Sequence, residues 1–322
     1  MSNLTHELPA RQISRRGLAV SVLGFGGASI GNLYRATSDE ESAAAVEQAW
    51  AGGIRYFDTA PHYGLGLSER RLGAALRTKN RDDFVLSTKV GRLLVPNPTP
   101  RGNDLDAGGF DVPDDLARQF DYSRDGVLRS IDGSLQRLGL DRIDIVYVHD
   151  PENHMDDAIS QALPALCELR DEGVIGAVGA GMNYVEPLRR IVADADVDVI
   201  MVAGRWTLLD RSGAPLLEEC ADRKVAVVAA APFNSRLLSQ PFPTGGNFDY
   251  AAAPSETIVR AQELAKLCAN AGVELPAAAI QFPLRDAAVV SVVSGMRNRA
   301  QASETESRFW FPVPDALWHQ VS

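Results

Sequence analysis

The sequence has no run of the roughly 18 apolar residues that a membrane-spanning helix requires, so no membrane association of that kind is expected. It also lacks the GxxxxGK[ST] loop, which excludes a P-loop nucleotidase on that motif. Cysteine is scarce: Cys167, Cys220 and Cys268 lie far apart and have no metal-ligand spacing. That excludes a disulfide framework and a cysteine-based zinc site, and it fits a reducing, cytoplasmic compartment. The opening MSNLTHELPARQISRR has no apolar run before its basic pair, so no secretory leader is read there. Positive charge is in deficit, with 32 Lys and Arg against 42 Asp and Glu and a net charge of −10. A nucleic-acid partner is therefore not expected, and an anionic membrane would repel the chain. A local positive pocket for an anionic cofactor remains compatible with that balance.

What the sequence does have is alternation. Strand-like runs occur at 20–26, 54–60, 84–90, 143–149, 174–181, 197–204, 225–232 and 288–295. Several are almost continuously apolar, as parallel strands covered on both faces tend to be. Amphipathic stretches at 39–52, 68–79, 122–139, 156–172, 184–194, 212–223, 255–285 and 297–307 fall between and after them. Asp39 and Ser68 are candidate caps for the first two. Eight such pairs predict an α/β fold of the (β/α)8 TIM-barrel type, a single domain over 1–322 with an N-terminal extension. The rival is a doubly wound sheet, but its glycine fingerprint is poor. GFGGASIG (24–31) carries Ser29 where GxGxxG requires its third glycine. Two long loops, 91–121 and 233–254, follow the third and seventh runs and are expected to lack regular structure. Loops of that length commonly serve as lids or binding loops.

Polar residues end successive runs. Asp58 follows IRYF, Lys89 ends FVLST, His149 ends DIVYV, and Tyr63 lies five residues past Asp58. Neighbouring strands would gather these four at one barrel mouth, where they form a proton-handling constellation. Each has an ordinary structural alternative taken singly; four at matching strand ends do not.

The segments FDTAPHYGLGLSERRLGAAL (57–76), STKVGR (87–92), LQRLGLDRIDIVYVHD (135–150) and GAGMN (179–183) resemble the aldo-keto reductase superfamily. FDYSRDGVLRSIDGSLQRLGL and VAGRWTLLD resemble its bacterial D-threo-aldose 1-dehydrogenase (L-fucose dehydrogenase) branch, with a pyridoxal 4-dehydrogenase type nearby. The resemblance implies an NAD(P)-dependent oxidoreductase on a TIM barrel, acting on a small sugar or aldehyde. It implies a catalytic tetrad of Asp58, Tyr63, Lys89 and His149. Tyrosine's ordinary pKa of about 10 is too high for a base at neutral pH, and a lysine ammonium held by Asp58 within hydrogen-bond reach would lower it. His149 would orient the reacting oxygen and need not be charged. In the oxidative direction Tyr63 would take the anomeric hydroxyl proton, leaving a lactone. Oxidation of pyridoxal or reduction of another small aldehyde is the alternative, and a non-catalytic nicotinamide-binding regulatory barrel a third reading.

The cofactor residues implied are Gly27, Asn183, Phe233, Asn234, Ser235, Arg236, Gly295, Arg297, Gln301 and Thr305. The chain departs from the family pattern at three places. Met182 stands for a serine, Ala203 lies near the place of a glutamine, and Ala230 replaces a stacking tyrosine, so that Phe233 or Trp206 would have to supply the ring. NAD is favoured over NADP, because Gly295 and Gln301 occupy the places where NADPH-preferring relatives put cations, although Arg297 and Arg299 are close by. His62 and Trp206 are the expected substrate contacts. Trp310 and Trp318 are expected to pack in the core, and His6, His154 and His319 to lie on the surface.

Overall fold

The computed structural model describes residues 8–13, 16–249 and 251–321. Its centre is a closed barrel of eight parallel strands: β1 (Leu23–Gly26), β2 (Tyr56–Asp58), β3 (Val85–Val90), β4 (Ile145–His149), β5 (Ala177–Met182), β6 (Val199–Ala203), β7 (Ala226–Ala230) and β8 (Val289–Gly295). Each strand pairs with the next, and β8 closes on β1 with Gly295 opposite Gly26. This is the (β/α)8 architecture, and the doubly wound alternative is set aside by the closure. Strand alternation divides the apolar residues into two sets. Tyr56, Ile145, Tyr147, Val199 and Val228 share an inner cluster, whereas Phe25, Phe57, Val146 and Val148 join the shell between strands and helices.

The longer helices are α1 (Asp39–Ala51), α2 (Leu67–Leu76), α3 (Arg124–Leu138), α4 (Leu163–Asp171), α5 (Val185–Asp194), α6 (Ala214–Arg223), α7 (Ser255–Asn270), α8 (Leu275–Gln281), α9 (Arg299–Phe309) and α10 (Asp315–Val321). The cap of α1 is Ser38 rather than Asp39. Its hydroxyl accepts from the Glu41 N–H while Glu41 accepts from the Ser38 N–H, a reciprocal capping box. Ser68 lies inside α2, where its buried hydroxyl donates to the Gly27 carbonyl and bonds the Thr59 hydroxyl. The expected helix 255–285 breaks into α7 and α8, because Gly272 turns at φ +70° and Pro276 suits the first turn of a new helix.

The run at 20–26 is two strands. Ala19–Ser21 pairs antiparallel with Ala10–Gln12, and this hairpin seals the N-terminal mouth. Ile13 and Val20 pack on Tyr56, Tyr147 and Val290, and Arg11 Nη1 donates to the Val289 carbonyl at 2.6 Å. The 91–121 loop is structured: Arg92–Pro96 pairs antiparallel with Leu116–Phe120 around a short turn at Leu105–Gly108. The 233–254 loop holds a 3-10 turn at Leu237–Ser239 and a two-residue pairing of Asn247–Phe248 with Ala251–Ala252. Both loops leave the C-terminal ends of strands.

Cys167, Cys220 and Cys268 are free thiols. Among the described residues no helix is long and apolar enough to cross a membrane. Trp318 is buried as expected, but Trp310 is 38% exposed, so core packing does not hold for it. His319 is exposed, His154 packs against Phe120 and Tyr122, and His6 lies outside the described residues.

Candidate active site

Asp58, Lys89 and His149 are the inward-facing residues at the C-terminal ends of β2, β3 and β4, and all three are buried. A buried ammonium is tolerated only when its charge and its three N–H groups are met. Lys89 satisfies this by donating to both Asp58 oxygens, at 2.8 and 2.6 Å, and to the Thr59 carbonyl at 3.0 Å. Asp58 also accepts from Ser87, at 2.7 Å, and Ser87 leads down to the Tyr56 and Tyr147 hydroxyls in the barrel interior. Burial, then the Asp58 charge, pushes the Tyr56 phenol above its ordinary range. Ser87 was not anticipated, although its place two residues before Lys89 puts it on the same strand face.

Tyr63 comes from the β2–α2 loop. Gly64, at φ +63°, crosses Gly31 so closely that a Cβ there would stand 2.2 Å from the Gly31 carbonyl. Only glycine allows that crossing, which fixes the backbone beneath the phenol. The Tyr63 ring has the Lys89 ammonium 4.8 Å from its centroid and the His149 ring edge-on at 5.8 Å. His62 joins them at 5.6 Å from His149, and Phe110 of the 91–121 loop closes over both Tyr63 and His62. His62 Nδ1 accepts from Arg118 Nε, whose guanidinium is in turn held by Asp104 in paired 2.6 Å bonds. The loop is thereby clamped to the site. Burial, reinforced by Arg92, Lys89, His62 and Arg118, holds His149 well below the ordinary histidine pKa. The imidazole is neutral at pH 7 and suited to a hydrogen bond rather than to a charge.

The motif around Tyr63 also braces the rim. Glu69, fully buried, accepts from Thr88 at 2.9 Å and from Arg137 at 2.5 Å. Gly27 sits where a Cβ would meet Ser68 Oγ and the Asp58 carbonyl, so its smallness is required by strand packing itself.

The expected cofactor residues fall on two neighbouring stretches of the same mouth. Asn234, Ser235 and Arg236 follow β7 and are consecutive left-handed residues, with φ of 42°, 52° and 79°. Such a run is costly for non-glycine residues and is held here by Asn234, which accepts from Thr207 at 2.6 Å and donates to the Gly204 carbonyl. Asn234 thus shapes the loop with its side chain. Gly295 ends β8, exposed beside Ser29. Arg297 donates to the Leu33 and Arg35 carbonyls and to Thr37, while Gln301 accepts from the Arg297 N–H. Burial, then repulsion by Arg35 and Arg236, pulls Arg297 down to about 10. Three cations therefore share one corner of an acidic protein, which fits a dianionic pyrophosphate. Arg35 was not foreseen. Arg299 reaches Gln48, and Thr305 is buried in α9. Asn183, after β5, gives its carbonyl to Arg205 Nε. Trp206 packs at a tilt against Phe282 and donates to the Pro283 carbonyl, turned toward α8, and Phe233 packs between the two main apolar clusters. Among the described residues neither ring makes a ring contact with Asp58, Tyr63, Lys89 or His149.

A family model described as the aldo/keto reductase family matches residues 22–321. The chain is 51% identical to a D-threo-aldose 1-dehydrogenase of Pseudomonas sp. over 95% of this chain and 94% of the relative. It is 41% identical to a pyridoxal 4-dehydrogenase of Microbacterium luteolum, covering 96% and 95%. Among solved structures, the holo form of an aldo-keto reductase from Bacillus halodurans superposes with a TM-score of 0.77 at 24% identity, covering 98% of this chain and 95% of that one.

Proposed function

This chain belongs to the aldo/keto reductase family, and from that premise we propose that it oxidises the anomeric carbon of an aldose of the L-fucose or D-threo class to the lactone, using NAD+. The observation that carries the reading is the buried Asp58–Lys89 pair beneath the Tyr63 and His149 rings, in a chain half identical to an aldose 1-dehydrogenase.

In this reading Tyr63 is the general base. Lys89 lies under its ring, so positive charge favours the phenolate, which takes the anomeric hydroxyl proton and becomes the neutral phenol. Asp58 keeps that ammonium charged and stationary, and Ser87 keeps Asp58 in place. Neutral His149 donates one hydrogen bond to the reacting oxygen and fixes its direction. Phe110 and the Arg118–Asp104 clamp shield the site from water. Arg35, Arg236 and Arg297, with the strand ends of β7 and β8, would hold the nicotinamide cofactor, which would supply the hydride acceptor. Gly27, Asn183, Ser235, Gly295, Gln301 and Thr305 complete the set assigned to it, and His62 and Trp206 that assigned to substrate. NAD is favoured because Gly295 and Gln301 offer no charge to a 2′-phosphate.

The test is a panel of L-fucose, D-arabinose, L-galactose, pyridoxal and simple aldehydes, followed by NAD(P)H absorbance. Aldose oxidation with a higher kcat/KM for NAD+ than NADP+ is expected. Turnover confined to pyridoxal or simple aldehydes replaces the substrate assignment, and no turnover at all supports a regulatory barrel. A tenfold preference for NADP+ overturns the cofactor assignment.

A further inference from the structure

Beside His149 lies a group of polar residues that the tetrad does not use. Asp150 follows it at φ +42°, a left-handed conformation that an L-residue adopts only under constraint. Its N–H donates to the Gly181 carbonyl, and the Tyr122 hydroxyl donates to the carbonyls of both His149 and Asp150. With its backbone so fixed, Asp150 places Oδ2 3.6 Å from His149 Nε2 and 2.6 Å from Arg92 Nη2. Arg92 opens the hairpin over the site, and Glu152 sits close enough to Asp150 to raise its pKa.

Seven buried side-chain polar atoms among the described residues make no hydrogen bond to protein, and three of them are here: Arg92 Nε, His149 Nδ1 and Glu152 Oε2. Buried polar atoms are normally paired, so a local concentration of exceptions calls for a cause. Two carboxylates that only accept and a guanidinium that only donates are complementary to groups that do both. Alcohol hydroxyls do both.

We propose that Arg92, Asp150 and Glu152 form a hydroxyl-reading subsite that binds the vicinal hydroxyls of a polyhydroxylated substrate next to its reacting carbon. An oxygen hydrogen-bonded to His149 has its neighbouring hydroxyl within reach of Asp150, because adjacent oxygens of a vicinal diol are about one hydrogen bond apart. Arg92 holds the Asp150 carboxylate toward that hydroxyl, and Glu152 takes the next one along. The Asp150 carboxyl, raised to about 6 by burial despite Arg92, is ionised and accepting at neutral pH. A substrate without hydroxyls would bury these groups unpaired, which is how sites built for a hydroxyl reject analogues lacking it.

This subsite rests on the aldose reading for its natural ligand, so the test separates the two. The kcat/KM for glyceraldehyde is divided by that for propanal, both reduced with NADH, in wild type and in Asp150→Asn and Glu152→Gln. General damage to the site cancels in the ratio. The ratio falls at least tenfold in Asp150→Asn and about threefold in Glu152→Gln; a ratio within twofold of wild type in both overturns the subsite. If Asp150→Asn does not fold, Glu152→Gln alone decides. Should the wild type oxidise no aldose while the ratio still falls, the aldose reading fails and the subsite stands. Aldose oxidation with an unmoved ratio gives the converse.

Discussion

The two ends of the barrel are built from the same strands and treat the backbone differently. Among the described residues ten non-glycine residues have positive φ, and nine of them lie in loops leaving the C-terminal ends of strands: Asn32, Tyr34, Leu65, Asp150, Ala231, Asn234, Ser235, Arg236 and Asp249. Lys224, the C-cap of α6, is the one at the other end. Carboxylates follow the same division. At the N-terminal end Asp198 accepts from the Val178 N–H and from Arg170, and Asp144 accepts from the Leu86 N–H and from Arg81. Both secure the start of a strand. At the C-terminal end Asp58 is committed to a lysine, and Asp150 stands among unpaired atoms. One end is arranged mainly for stability, with Arg81 Nε beside Asp144 left unpaired; the other accepts nearly all of the strain and more of the unmet polarity, which active sites tolerate because ligands resolve them.

The largest test of this division is Tyr63→Phe. Turnover should fall by roughly 10²–10⁴, while dinucleotide binding, followed by fluorescence, and thermal stability survive. Turnover like that of wild type removes Tyr63 from its role.

Next come two carboxylates compared across the barrel. Asp198→Ala removes one of three carboxylates around the buried Arg170 and the acceptor of the Val178 N–H, and should cost about 1–3 kcal/mol in chemical denaturation. Asp150→Asn should do the reverse. The folded carboxyl titrates at about 6, above its ordinary value of 3.8, so the folded state binds a proton that the unfolded chain has already released. Stability therefore falls as pH rises from about 4 to about 6, and the full cost is present above that window. Removing the charge should gain about 1–3 kcal/mol at pH 8 and nothing below about pH 4. A loss at pH 8 breaks the comparison.

The smallest effects come from a pair of glycines. Ala231→Gly and Lys224→Gly each relieve a left-handed residue and should each gain about 1 kcal/mol. Only Ala231→Gly, after β7, should change dinucleotide affinity. Equal effects on dinucleotide affinity would show that strain after β7 has no functional meaning.

How much of this was legible depended on the range of the interactions. The eight barrel strands follow from local apolar runs, and the four strand-end and loop residues Asp58, Tyr63, Lys89 and His149 from position alone. The hairpin over the site was not legible, because Arg92–Pro96 finds its partner some twenty residues later across a Pro- and Gly-rich segment. The N-terminal hairpin was hidden because Ala19–Ser21 and Leu23–Gly26 read as one run. The Ser38–Glu41 capping box, by contrast, was present in the sequence as S-x-x-E. Arg35 and Arg118 carried no signal, since the partners of an arginine are set by tertiary packing.

The N-terminal hairpin has a consequence for the order of events during synthesis. Arg11 bonds the Val289 carbonyl, 278 residues later, and β1 finds its second neighbour only in β8. At typical elongation rates the first strands wait roughly 15–55 s before the last one emerges. Through that interval β1 has one bare edge and the mouth sealed by Ile13 and Val20 has only part of its wall. The ring becomes a ring in its final step, and the newly made chain is most vulnerable to mispairing just before it closes.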